Sequence, residues 1–114
     1  MKFLDERDGG DKTSALSAVI DSMWEKFLPE IRNRAQTLED AAHSAAAGKL
    51  SQTEREAAQA AAHKLAGTLG TFGLGRGTKL ARELERMFVA ADVVPADRLA
   101  KMAAEVHAII ESRK

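Results

Sequence analysis

The feature that most constrains this chain is a run of apolar residues, Ala58, Ala62, Leu65, Leu69 and Phe72, spaced 4-3-4-3. That interval is the seam of a helix packed against nearly antiparallel neighbours. It repeats at Leu74, Gly77, Ala81, Leu84, Phe88 and Ala91, and after Pro95 at Leu99, Met102, Val106 and Ile109 or Ile110. Ala, Leu, Glu, Lys and Arg dominate throughout, β-branched and aromatic residues are sparse, and no segment alternates as a strand does.

Upstream, Leu16, Ile20, Met23, Trp24 and Phe27 lie at helical spacing from Thr13 or Ser14 to Leu28, and Ile31, Leu38, Ala42 and Ala45 follow up to Gly48, a glycine suited to end a helix. Pro29 stands between them. It disfavours α geometry at Leu28 and suits a first helical turn, so it either separates two helices or kinks one. Ser51 and Glu54 form a capping box that starts the next helix. The connections are short, which makes sequential helices antiparallel neighbours. The architecture expected is all-α, an up-and-down four-helix bundle over residues 13–114 with an additional N-terminal helix before Pro29. Residues 1–12, with a Gly9-Gly10 break among charged residues, read as a mobile leader. The cluster Met23, Trp24 and Phe27 reads as core in preference to a docking patch for a partner.

Lys plus Arg and Asp plus Glu both number 17, so no global field draws nucleic acid or anionic lipid. The 114 residues suit a single core, and a monomer is expected. There is no cysteine, which removes thiolate nucleophiles and sits easily with the cytoplasm. No signal peptide or membrane span is legible at the N-terminus. The glycine-rich "GLGRGTK" at 73–79 follows a helix and lacks the Gly-Lys-Ser/Thr ending of a nucleotide loop. Glu39 with His43, and His107 with Glu111, are four residues apart and read as surface helix pairs; no third metal ligand accompanies either.

His63 is different. At 100° per residue it points away from the seam, and Ala60, Ala66, Gly67 and Gly70 lie around it, so the imidazole should stand in solvent on a nearly bare helix surface. Each helical glycine costs about 1 kcal/mol relative to alanine. Access for a partner protein explains that cost, and so does tight packing of a neighbouring helix.

The stretch "HKLAGTLGTFGL", residues 63–74, resembles the signature of histidine-containing phosphotransfer (Hpt) domains: His63, Leu65, Gly67, Thr68, Gly73 and Leu74 occupy its positions. The resemblance implies a helical bundle whose exposed His63 accepts a phosphoryl group from the aspartate of a response-regulator receiver domain, or through a hybrid histidine kinase, and passes it to another receiver. It implies no cofactor on this chain, with Mg²⁺ on the receiver, and no ATP-dependent kinase activity. Many members carry Lys three residues after the histidine. Here Ala66 stands there and Lys64 directly follows His63, which nominates Lys64 as the stabilising cation, with Arg76 and Lys79 as weaker candidates. Two rival classes are the phosphoacceptor helix pair of a histidine kinase, whose acidic residue and Leu-Arg-Thr-Pro run after the histidine are missing, and an adaptor that docks a partner without transfer.

Overall fold

A computed structural model describes residues 2–90 and 95–113, with side chains described from Ala15 onward except at Ala90. Four helices follow in order: α1 (Lys2–Ala46), α2 (Gln52–Thr71), α3 (Gly75–Ala90) and α4 (Ala96–Ser112). Each packs against its neighbours around a ring, α1 on α2, α2 on α3, α3 on α4 and α4 on α1, and among the described residues the backbones of the diagonal pairs stay apart across the core. This is the expected all-α bundle. Ala91, read as a seam position, lies outside the described residues.

The seam residues meet where their spacing puts them. Ala58, Ala62, Leu65 and Leu69 are fully buried together with Leu84, Leu99 and Val106, and Phe72 packs at the edge. Of the two candidates in α4, Ile110 enters the core. Each leucine so buried contributes on the order of 1.5–3 kcal/mol, which outweighs the weak propensity differences along these alanine-rich helices.

Glycines end both long helices by the same device. Gly48 and Gly73 take positive φ, 69° and 75°. At the first, Lys49 N–H donates to Ser44 O and Gly48 N–H to Ala45 O; at the second, Leu74 N–H donates to Leu69 O and Gly73 N–H to Gly70 O. These paired bonds satisfy carbonyls that the helix end would leave open. The capping box at the start of α2 is present, Glu54 N–H donating to Ser51 Oγ and Ser51 N–H to Glu54 Oε1. Ser44 Oγ adds a bond to Glu54 Oε2 at 2.6 Å, tying the end of α1 to the start of α2. These bonds, that from Ser44 first, hold the Glu54 carboxyl below its ordinary range.

Three features of α1 differ from expectation. The helix runs through Pro29 without a break. Pro29 is exposed, while Trp24 before it and Ile31 after it are both buried in one core, so packing holds the two halves in line. The N-terminal segment expected as an additional helix is thus continuous with α1, and the helical backbone extends through the leader to Lys2. The aromatic cluster also divides. Trp24 is buried, meeting Phe72 edge-on with ring centroids 5.1 Å apart, with the Arg113 guanidinium 4.9 Å above its ring, whereas Met23 and Phe27 are 42% and 39% exposed. Trp24 turns toward the ends of α2 and α4, where Phe72 and Arg113 meet it, while Met23 and Phe27, about 100° and 60° round the helix from it, lie on the side those ends leave uncovered.

On the α1–α4 side, His107 Nδ1 lies 2.6 Å from Glu39 Oε1, and Arg32 donates two bonds to Glu111, at 2.8 and 2.7 Å. The expected Glu39–His43 pair is therefore replaced by a cross-helix one, since the α4 imidazole reaches the carboxylate first. Arg32 lowers the Glu111 pKa and is itself raised by Glu111.

Candidate functional site

The site is built on the α2–α3 hairpin. The turn at Gly73 folds α3 back along α2, so residues comparably distant from it on the two arms come level: Thr78 Oγ1 donates to Ala66 O at 3.2 Å, and further out His63 meets Glu85. His63 lies on the outer side of α2 with its side chain 74% exposed.

Its Nδ1 is 2.9 Å from Glu85 Oε2. An ionised carboxylate only accepts hydrogen bonds, so this contact puts the proton on Nδ1 and leaves the lone pair on Nε2. Two shallow hollows flank the ring. One is lined by Ala66, Gly67, Arg82, Glu85 and Arg86, the other by Glu56, Gln59, Ala60, Lys64 and Glu85. The imidazole thus stands between Lys64 on its own helix and two arginines on the next, with one carboxylate behind it.

The sequence-predicted residues separate on this geometry. Ala60 and Lys64 are exposed and line a hollow beside His63. Gly67 is exposed as well, and a Cβ built there meets nothing within 4 Å. Ala66 is 5% exposed, because α3 covers it through the Thr78 bond, so the surface beside the ring is offered by Ala60 and Gly67. Gly70 faces α3, where a Cβ would lie 3.4 Å from Thr78 Oγ1, an ordinary contact. Close helix approach is concentrated at Gly77 instead: a Cβ there would come within 2.9 Å of Leu69 Cδ1 and 3.3 Å of Ile109 Cγ2. Arg76 pairs with Glu105 of α4 and Lys79 is exposed; neither lines a hollow beside His63.

Sequence reasoning missed Arg82, Glu85 and Arg86. The signal was a count. His63 is ten residues before Gly73 and Glu85 twelve after it, and Arg82 lies three residues before Glu85 and four before Arg86, so folding the hairpin about the glycine brings the three opposite the histidine.

Among the described residues no group of three or more His, Asp or Glu stands close enough to hold a metal ion. No described helix is long and apolar enough to cross a membrane.

The bundle thus displays the His63 imidazole from mid-helix, with a carboxylate at its Nδ1 and cations beside it, on an open surface that another protein can approach. The chain matches the Hpt domain family over residues 22–112 and belongs to that family. Hpt domains are phosphotransfer modules of two-component signalling, lack kinase activity of their own, and work with receiver domains and histidine kinases. The chain is also similar to Protein RcaC of Microchaete diplosiphon, 32% identical over 75 residues. That match covers 66% of this chain and 12% of the relative, so this chain corresponds to a small fraction of the relative's length. No solved structure matches.

Proposed function

We propose that His63 is the phosphoacceptor of a phosphorelay, taking a phosphoryl group from the aspartyl phosphate of one receiver domain and returning it to the aspartate of another. The observation that carries this reading is the Nδ1 contact to Glu85 on an otherwise exposed ring. The Nε2 lone pair attacks phosphorus, the bond from phosphorus to the receiver carboxylate oxygen breaks, and the carboxylate leaves with the electron pair. The ring becomes a phosphorylated imidazolium that keeps its Nδ1 proton, and the Glu85 carboxylate offsets the new positive charge. The reverse sequence returns the group.

Phosphoryl transfer asks mainly for positioning and charge stabilisation. Lys64, Arg82 and Arg86 supply cations on this side, and the receiver brings its own Mg²⁺. Gly67 and Ala60 keep the approach low, so that the acyl phosphate can come within about 3–3.5 Å of Nε2. The cytoplasm, where receiver domains work, is the compartment this role requires.

Incubation with a phosphorylated receiver tests the proposal. Label should appear on the wild type and on variants at His43 and His107, and vanish in His63→Gln with the helical spectrum unchanged. Label persisting in His63→Gln overturns the assignment. Robust label from ATP and Mg²⁺ alone overturns the non-kinase reading.

A further inference from the structure

The part of α1 that precedes the bundle carries an apolar stripe with no partner among the described residues. Trp24 is the first buried residue of α1 among those described, and every side chain from Ala15 to Met23 is exposed. Leu16, Val19, Ile20, Met23 and Phe27 are 64%, 56%, 43%, 42% and 39% exposed. The molecule measures 66 Å along its axis against 21 and 19 Å across, as a 45-residue helix rising about 1.5 Å per residue demands, while α2 spans only about 30 Å. A free-standing amphipathic helix is marginal in water. Its apolar face calls for a second helix.

We propose that the projecting part of α1 pairs antiparallel with the same part of a second copy of this chain, forming a two-fold coiled-coil dimer. Leu16, Ile20, Met23 and Phe27 follow one another at 4-3-4, the interval of a coiled-coil seam. About a two-fold axis between Asp21 and Ser22 the stripe is its own complement: Leu16 meets Phe27 of the second copy and Ile20 meets Met23. The groove beside Phe27, lined further by Glu30, Arg34 and Thr71, continues the same face onto the bundle and receives the incoming helix.

Charge favours the antiparallel direction: it sets Asp21 opposite Ser22, Glu25 opposite Ala18 and Lys26 opposite Ser17, whereas parallel pairing sets each of these charges level with its own copy, which is repulsive. The stripe exposes on the order of 400–500 Å² of apolar side chain, the size that marks an interaction surface. Two copies together approach the roughly 1,000 Å² at which specific interfaces begin.

Sedimentation of the full chain tests this. The wild type should sediment at twice the 12.3 kDa of one chain, and Leu16→Asp with Ile20→Asp at the mass of one chain with its helical melt retained, since both residues are exposed. Because the chain has no cysteine, a mixture of Leu16→Cys and Phe27→Cys chains should cross-link as a mixed pair, and neither chain with itself. A wild type of one-chain mass up to millimolar concentration overturns the proposal, as does a dimer that survives both aspartates or self-linked Leu16→Cys chains. Should the wild type be monomeric and the aspartate variant take up label slowly, the stripe docks a receiver instead. His63→Gln should dimerise as the wild type does, so loss of transfer and loss of dimer are separately visible.

Discussion

The Nδ1 atom of His63 on α2 and the Oε2 atom of Glu85 on α3 lie 2.9 Å apart, so the proposed nucleophile and the carboxylate that orients it come from opposite arms of one hairpin. Glu85→Ala frees the ring to rotate and to change tautomer. We expect transfer from a phosphorylated receiver to slow roughly tenfold or more, equivalent to about 1.4 kcal/mol in the barrier, with Glu85→Gln falling between, because its amide oxygen still accepts the bond but carries no charge. Initial rates of label uptake check the rates, and nitrogen NMR of the imidazole checks the tautomer. Equal rates in all three proteins would remove Glu85 from the site.

Arg82 and Arg86 should matter through charge. The double substitution to alanine should reduce uptake by about tenfold and flatten the dependence of the rate on ionic strength, because cations at an exposed site act through a field that salt screens. Lys64→Ala should have a smaller effect of the same kind. Lysine at 82 and 86 should recover part of the loss. Transfer rates measured across a salt series separate this from a change in folding.

Two glycines should respond in opposite senses to the same substitution. Gly67→Ala enters open space and should stabilise α2 by up to about 1 kcal/mol, whereas Gly77→Ala drives a methyl against the fully buried Leu69 and should cost about 1–3 kcal/mol by overpacking. Gly67→Gln should fold well and transfer slowly, its side chain standing in the receiver's path. Thermal melts and label rates on these three variants are the measurement. A well-folded Gly67→Gln with unimpeded transfer contradicts the access role.

Stability should fall in acid through Glu54 and Glu111. Both carboxyls are held below their ordinary value, Glu54 first by the Ser44 hydroxyl and Glu111 first by the Arg32 guanidinium. A depressed carboxyl contributes its stability above the unfolded pKa, about 4.3, and loses it as pH falls from there through the lower folded value. Denaturant melts from pH 6 down to pH 3 should show a loss that begins near the ordinary carboxylate range and is smaller in Glu54→Gln and Glu111→Gln. Arg32 stays protonated across that window. An acid limb unchanged in both variants would contradict this account.

The bundle was legible because burial has a period: Leu65, Leu69, Leu84 and Val106 announce their faces through spacing alone, and Ser51, Glu54, Gly48 and Gly73 announce the ends through capping chemistry. The exposure of His63 was legible by the same geometry. Ala66 was not, since its burial depends on how closely α3 approaches, which Thr78 and Gly77 decide from another part of the chain. Glu85, Arg82 and Arg86 escaped for a related reason. Charged residues on an amphipathic helix look alike in sequence, and only the register of the hairpin singles these out. At Pro29 the local preference of Leu28 against helix yielded to the burial of Trp24 and Ile31 on either side, an outcome that tertiary packing alone determines.

The hairpin turn at Gly73 makes chain length itself a functional parameter. Each residue inserted or deleted between His63 and the turn rotates the imidazole by about 100° and shifts it 1.5 Å along the axis, while Glu85, Arg82 and Arg86 stay where the turn put them. A single added alanine would leave α2 helical, yet swing its apolar seam out of the core and carry the histidine away from its carboxylate. Drift in this segment is therefore open to replacements and closed to insertions and deletions, and the distance from 63 to 73 measured in residues should be more constant than the residues that fill it.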